Sequence, residues 1–539
     1  MRLERTGPRF GAILGSWDPE RSTLVQEAAG QDTVLERPNV TVAADGAVAW
    51  ADGCGASWSP RPLPDELSGS AADHARAHDA ISIVDHGDHA EVHAGISGAV
   101  PVYLEEGPRG ASLSSSLQPL LASAPTIEPD WDGWAQMLAA GAPLGGRTTV
   151  AGIRRLRPWE RVRVDDGGVV TSQTSGWPWL DHAPTGSASL EEVAEALAAS
   201  VGEVAQRTAL APMLSGGWDS RILTTLATRL VPQTIARTTS SDTGTVMEEL
   251  IAAKVAERLG IEHRILMPRR DEFGADVECF AQAVDHQTAF HFWFVPVQRD
   301  LQRSDGTALD GLGGGLFLGG TFSDPAGSGP LVDRRFAQTT RYLTAAPAVL
   351  APGVIEPIRE RTRTGFDAVA RPLLDHPFGA AFTAYLNRTL PGISLAPYGL
   401  LAASTTVATP FLDDRVVSAT LRFPAAQHQG GQLYPRVLAR FDPAVARIPT
   451  AEDLAPWPRP HPRRIAAPEA AAYLRDLVLA EPVRPLVSDD LARADLNYWI
   501  RLLSTTGAQH LIRSLAVMSL WFSAHEPALG GQDATGLFG

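Results

Sequence analysis

Residues Leu214 to Ser220 read Leu-Ser-Gly-Gly-Trp-Asp-Ser and follow a short apolar run, Ala209 to Leu214, with the length and composition of a strand. Ser215, Gly216 and Gly217 let the backbone turn sharply, so that successive N–H groups point at one spot. A helix expected from Ser220 to Ala227 adds the positive end of its dipole, and the two glycines place no Cβ in the way of phosphate oxygens. Asp219 supplies a carboxylate where a phosphate-bound Mg²⁺ would sit. A second carboxylate, Asp310, is expected as the last residue of a later strand, from where it could reach the same metal; the plainer reading makes it a turn-capping aspartate.

Other clusters read as structural. Asp285, His286 and His291 accompany the aromatic stretch Phe290 to Phe294 and could line a peptide pocket, but the adopted reading makes the aromatics core and the histidines satisfied. Asp413 and Asp414 read as ion-pair partners of Arg415, and Arg154, Arg155 and Arg157 as a solvated hairpin edge. His86, Asp88, His89 and His93 are residue types that suit a metal, but they lie in a turn and a strand.

The elements that must position the loop follow from pattern. Up to about residue 180 the chain is sheet-rich, with strands near Ile81 to Val84, Glu91 to Ala94, Val100 to Leu104 and Ala111 to Leu113, a helix over Trp131 to Ala140, and a hairpin from Arg161 to Thr171. Trp177 to Ser187 is the linker expected from its Pro, Gly and small polar residues, which divides the chain into domains 1–185 and 186–539. Ser189 and Glu192 form a capping-box pattern ahead of Val193, Leu197 and Val201. Strands at Ala209 to Leu214, Thr234 to Thr239 and Glu262 to Met267 alternate with helices, which argues for a parallel sheet, and beyond about residue 320 the pattern is mostly helical.

Composition bounds the function. With 46 basic and 61 acidic residues the net charge is −15, which opposes a role in gripping nucleic acid. Lys254 is the only lysine, so any chemistry that needs a lysine elsewhere is excluded. Cys54 and Cys279 make no disulfide framework, no apolar run is long enough to span a membrane, and the expectation is a cytoplasmic protein without membrane or nucleic-acid partners.

The loop resembles the pyrophosphate loop, S-G-G-x-D-S, of ATP pyrophosphatases, which make AMP esters of carboxylates or amides. Glu249 to Arg264 resembles the helix and strand of the asparagine synthetase-like branch, and Thr409 to Val417, TPFLDDRVV, resembles its late Pro-Phe-Leu-Asp element. Ala94 to Leu121 and Val150 to Val164 resemble its glutaminase segment and hairpin, so the likeness covers nearly the whole chain. It implies an α/β protein: an N-terminal glutaminase-like domain (Ntn, αββα type), then a parallel-sheet ATP pyrophosphatase domain with a helical C-terminal part. It also implies ATP and Mg²⁺ as cofactors. Leu214, Ser215, Gly216, Gly217, Asp219, Ser220, Thr238 and Gly313 would bind the nucleotide, and Asp219 and Asp310 would serve catalysis and hold the metal. The counterpart of the His86 to His93 cluster binds no metal in that family.

Departures from the pattern choose the branch. A glutaminase needs an N-terminal cysteine nucleophile, whereas Arg2 follows Met1 here, so the amine is expected from the substrate. Leu312 stands where β-lactam synthetases have a tyrosine in a base dyad. A peptide amine of pKa about 7.7–8.0, roughly a sixth neutral at pH 7, tolerates that loss. No lysine follows Lys254, which leaves Arg447, Arg459, Arg463 or Arg464 as cations toward pyrophosphate. Gly315 holds the place of an acidic metal ligand, with Asp310 the nearest replacement. Together with Trp218 and Arg221, these changes resemble lasso peptide cyclases. The implied reaction is adenylation of an Asp or Glu side chain of a precursor peptide, followed by attack of the peptide's own amine. The implied partners are that peptide, a leader peptidase and a leader-binding protein. A β-lactam-synthetase-like cyclase of small molecules and an inactive peptide- or nucleotide-binding scaffold are the alternatives.

Overall fold

The computed structural model describes residues 55–61 and 69–538, apart from 108–109, 123, 166–167, 186, 243, 322, 452 and 455–461. Before residue 55 it describes only the strands 13–16, 33–37, 40–44 and 48–50. The first half supplies β1 (Ile13–Ser16), β2 (Thr33–Arg37), β3 (Val40–Ala44), β4 (Val48–Trp50), β5 (Gly55–Trp58), β6 (Ile81–Asp85), β7 (His89–His93), β8 (Tyr103–Gly107), β9 (Gly110–Ser114), β10 (Ile153–Arg155), β11 (Arg161–Asp165) and β12 (Val170–Gln173). They form two six-stranded antiparallel sheets, ordered β10-β8-β9-β1-β3-β2 and β12-β11-β7-β6-β5-β4. Period-two alternation sets their faces: β7 buries Ala90 and Val92, while His89, Glu91 and His93 stay on the half-exposed side. Ile83, Val92 and Val162 of one sheet share a core with Leu104 and Leu113 of the other, which is face-to-face sheet packing. The expected hairpin is β11–β12. Arg2 and Cys54, on which the glutaminase expectation turns, lie outside the described residues.

The expected linker is held at its aromatic end. Trp177 and Trp179 are buried; the Trp177 indole donates to the Ile96 carbonyl at 2.8 Å and that of Trp179 to Asp414 at 3.0 Å. The helix Leu190–Ala205 begins after Ser189, whose hydroxyl accepts from the Glu191 N–H at 3.2 Å. The capping box does not close, because Glu192 pairs with Arg422 at 2.9 Å instead.

The second half is built on five parallel strands, β13 (Leu210–Pro212), β14 (Ile235–Thr238), β15 (Glu262–Ile265), β16 (Thr307–Leu309) and β17 (Val407–Ala408). The pairs β14-β15 and the run β13-β16-β17 are joined by a parallel bridge between Met213 and Arg237, so the order is β15-β14-β13-β16-β17. The chain works outward from β13 to β15, then crosses back to start β16 on the other side of β13. That reversal opens a crevice at the carboxyl ends of β13 and β16, where open parallel sheets bind ligands.

The C-terminal part is helical, as expected, and includes Pro352–Ala370, Pro468–Val478 and Thr506–Leu529. Three hydrophobic cores cross the expected 185/186 boundary, the smallest joining Ala140 and Leu144 to Phe336 and Phe366. One joins Tyr103, Leu117 and Trp134 to Leu511, Trp521 and Phe522, with the Trp134 and Trp521 rings edge-to-face at 5.4 Å. Another joins Ile83 and Leu104 to Phe317 and Leu412. Arg155, expected at a solvated edge, is buried between the halves, where its guanidinium donates to the carbonyls of Leu390 at 2.6 Å, Ala99 at 3.0 Å and Gly98 at 3.1 Å. Pattern reading misplaced it because three neighbouring arginines look alike until the register of β10 turns one of them inward. Among the described residues no helix is long and apolar enough to cross a membrane.

Candidate active site

The loop Leu214 to Ser220 leaves the end of β13 and turns into the helix Trp218–Leu230. Its two serines fix the turn: the Ser215 N–H donates to the Ser220 hydroxyl at 2.9 Å, the two hydroxyls lie 2.9 Å apart, and the Gly217 N–H donates to the Ser215 hydroxyl at 3.1 Å. From outside, Arg221 is fully buried and donates to the carbonyl of Gly216 at 2.7 Å and to those of Ile448 and Pro449 at 2.6 and 2.8 Å. It also lies over the Trp218 ring at 5.0 Å. Burial lowers its pKa to about 10, so it stays cationic at neutral pH and clamps the turn to a distant segment.

Asp219 and Asp310 face one cavity, as the sequence suggested they could. Its volume is about 470 Å³, and Ser215, Gly217, Asp219, Ser220, Asp310 and Gly313 are in its wall. Leu214 also lines it, whereas Gly216 and Thr238 stand behind: the Thr238 hydroxyl donates to the Leu214 carbonyl at 2.6 Å, and Thr239 is the threonine at the cavity.

The glycine-rich segment after β16 is shaped around Asp219. A Cβ on Gly314 would stand 2.1 Å from Asp219 Oδ1, and one on Gly311 would stand 2.7 Å from Asp219 Cβ. Gly319 plays the same part for Tyr434, since its Cβ would come 2.2 Å from that ring. Tyr434 stacks on Trp218 at 6.4 Å, and its hydroxyl donates to Asp219 Oδ1. The tyrosine comes from Leu433–Phe441, too far along the chain for local pattern to connect it. Burial pushes the Asp219 carboxyl up to about 7; the Tyr434 hydrogen bond opposes this and the charge of Asp310 adds to it. Asp310 is raised to about 6 by burial, against the Leu312 N–H, which donates to its Oδ1 at 2.8 Å. Asp310 is therefore both a turn cap and a wall residue.

Two raised carboxylates sharing one cavity, cradled by glycines that leave no room for a side chain, fit a divalent cation: positive charge would relieve both desolvation and mutual repulsion. Glu248, at the start of the helix Met247–Leu259, adds a third carboxylate to the wall. Sequence reasoning passed over it; the signal was a pair of glutamates in the first turn of a helix that follows a sheet strand. Gly315 does line the cavity, with no carboxylate to offer.

Away from the loop the wall changes character. Leu312, Leu316, His291, Trp293 and Phe294 face the cavity, with Arg388, Thr389, Ile393 and Pro397 from a widely wound π-helical stretch, Tyr385–Ile393 and Ala396–Leu400. Such turns recur at functional sites because they break the ordinary hydrogen-bond register. The aromatic stretch 290–294 is split: Phe290 and Phe292 are core as expected, but His291, in a left-handed conformation at φ 68°, joins Trp293 and Phe294 at the cavity. Burial, with Arg388 and Arg513 nearby, lowers the His291 pKa to about 3, so it is neutral. Asp285 instead accepts from Ser116 at 3.1 Å and from the Leu117 N–H at 2.8 Å, tying the halves together, and His286 is buried against His525.

Asp413 pairs with Arg415 at 2.7 Å, as expected, but Asp414 reaches Arg76 at 2.8 Å. Among the described residues no late arginine lines the cavity: Arg447 is exposed, Arg463 lies outside the wall, and Arg464 is committed to Asp276 at 2.5 Å; Arg459 lies outside the described residues. Among the described residues the wall arginines are Arg237, paired with Asp300 at 2.6 Å, and Arg388.

A search of curated proteins gives no match to the chain. Residues 192–438, the stretch that carries the loop, Glu248, Asp310, the glycine cradle, Arg388 and Tyr434, match the family model of asparagine synthase.

Proposed function

We propose that the chain is an ATP-dependent macrolactam synthetase of the lasso peptide cyclase kind. The asparagine synthase match points to an ATP-dependent, amide-bond-forming ligase. The observation that carries the finer reading is the two-part cavity: a loop-and-carboxylate end that suits a nucleotide triphosphate, and an apolar, aromatic end lined by Leu312, which the resemblance aligns with the base tyrosine of β-lactam synthetases. In this reading a substrate carboxylate oxygen attacks the α-phosphorus of ATP. The bond to the bridging oxygen breaks, pyrophosphate leaves, and an acyl-adenylate remains. Backbone N–H groups of the glycine turn and the helix N-terminus bind the departing phosphates. Asp219, Asp310 and Glu248 would hold Mg²⁺, which when bound neutralises phosphate charge and polarises the phosphoryl oxygens.

The peptide amine then attacks the acyl carbon; the carbon–oxygen bond to AMP breaks and the amine proton leaves to solvent or phosphate. With Leu312 in place, the amine must arrive neutral. A peptide α-amine is roughly a sixth neutral at pH 7, whereas an alkyl amine near pKa 10.4 is neutral in about one molecule in 2,500. Trp293, Phe294 and Leu316 keep water from the adenylate and hold a folded peptide with amine and carbonyl near contact, which is where the gain from effective molarity arises. A leader peptidase and a leader-binding protein would supply the trimmed precursor.

Incubation with ATP and a core peptide bearing an Asp or Glu tests this. The expected result is a peptide lighter by one water, with AMP and pyrophosphate formed in equal amounts. Pyrophosphate release that needs free ammonia or a small amino acid, with the peptide unchanged, would refute the cyclase reading.

A further inference from the structure

We propose that the β6–β7 hairpin is a transition-metal site in which His86, His89 and Glu91 ligate one Zn²⁺-class divalent cation on the outer face of the second sheet. None of these residues lines the ATP-binding cavity, so the site is separate from the chemistry above. The local fold brings the ligands together. The His86 N–H donates to the His89 carbonyl at 2.9 Å across a tight turn in which Gly87 has φ 90° and donates to Asp85 at 2.9 Å. That turn stacks the two imidazoles with centroids 4.6 Å apart, and strand alternation puts His89, Glu91 and His93 on one face.

One ligand atom from each of His86, His89 and Glu91 lies within 4.8 Å of the others. His86 Nε2 is 3.8 Å from one Glu91 oxygen and His89 Nε2 is 3.6 Å from the other. These separations are too long for good hydrogen bonds. They are close to the edge of a tetrahedron with metal–ligand bonds of about 2.0–2.1 Å, which is roughly 3.4 Å. The tautomer of His89 is set for ligation: its Nδ1 is 2.6 Å from Asp88 Oδ1, so the proton belongs there and the Nε2 lone pair faces Glu91. His93 Nε2 backs the carboxylate at 3.4 Å. The neighbouring cations are otherwise engaged, Arg163 with Asp88 at 3.9 Å and Arg161 with Gln173 at 2.5 Å. His86 is 44% exposed, which leaves a side open for a water ligand. Two imidazoles and one carboxylate at this spacing suit Zn²⁺, Ni²⁺ or Cu²⁺, and not Mg²⁺, which favours an all-oxygen shell.

The test is Zn²⁺ titration of the full, chelator-stripped chain by calorimetry in saturating Mg²⁺, with Co²⁺ absorption as the spectroscopic readout. One equivalent of Zn²⁺ should bind, Co²⁺ should give the intense bands of a four-coordinate site, and Asp219→Asn should change neither. His86→Ala and His89→Ala should each weaken Zn²⁺ by more than about tenfold, and Asp88→Asn, which acts through His89, by about tenfold. All three side chains lie on a surface hairpin, and each variant should keep the parent's circular dichroism spectrum. Zn²⁺ binding of unchanged affinity in both histidine variants, or no Zn²⁺ binding by the parent chain, overturns the proposal.

Discussion

Replacing Tyr434 with phenylalanine isolates one hydrogen bond in the carboxylate end of the cavity. The ring keeps its place on Trp218 and against Gly319, and only the donor to Asp219 Oδ1 is lost. That bond favours the ionised carboxylate, so its removal raises a pKa that already stands at about 7. A hydrogen bond to a charged group is worth about 1.5–3 kcal/mol, and at 1.36 kcal/mol per pH unit the shift is roughly 1–2 units upward. The ionised form is the one that can take Mg²⁺, so activity is lost as pH falls through this value. The acid limb of the kcat/KM profile should therefore move toward higher pH by roughly 1–2 units. At pH 7 the ionised fraction drops from about a half to roughly 1–10%, a loss of roughly 5- to 50-fold, while near pH 9.5 most of the rate returns. Pyrophosphate release measured from pH 5.5 to 9.5 reads this directly. A limb that overlays the parent, or a loss of the same size at every pH, would refute the coupling of Tyr434 to Asp219.

Three further outcomes follow from the same geometry. Gly314→Ala drives a methyl group against Asp219 Oδ1, where the gap is 2.1 Å, and should cost on the order of 100-fold in turnover with little change in melting temperature; wild-type rates would show that the cradle is not needed. Asp310→Asn keeps the shape of the turn and removes a charge, so half-maximal pyrophosphate release should require several-fold more Mg²⁺. A titration curve that superimposes on the parent would leave Asp310 a turn cap alone. Arg221→Ala abandons the carbonyls of Gly216, Ile448 and Pro449 and should lower stability by about 3 kcal/mol in urea unfolding, with Arg221→Lys recovering only part; a loss under about 0.5 kcal/mol would show that the clamp is idle.

The part of the site that could be read from sequence was the part made of neighbours. Ser215 to Ser220 is contiguous, sits between a strand and a helix, and states its chemistry through residue type and spacing. Asp310 was legible because a strand end announces itself, and the parallel sheet because its strands alternate with helices. Tyr434, Glu248 and Arg388 were not legible, since each enters the cavity from an element whose own pattern only says which face is apolar. His291 was misjudged for a related reason: a left-handed residue turns one side chain of an aromatic run away from the core, and periodicity carries no sign of it. Gly315 read as a lost ligand, whereas its neighbours Gly311, Gly314 and Gly319 turn out to be spaces for Asp219 and Tyr434.

The core that joins Trp134 to Trp521 bears on how the chain is made. Trp134 is synthesised 387 residues before its partner ring. At about 5–20 residues per second, the helix Trp131–Ala140 spends roughly 20–80 s on the ribosome without the helix Thr506–Leu529 that covers it. Through that interval Trp134, Met137 and Leu138, all buried in the finished molecule, can pack on first-half neighbours such as Leu117 and Leu120 but lack the cover of the late helix. A chain cut at the 185/186 boundary would stay in that state permanently, so the first half expressed alone should collect in aggregates and be recovered by co-expression with the second.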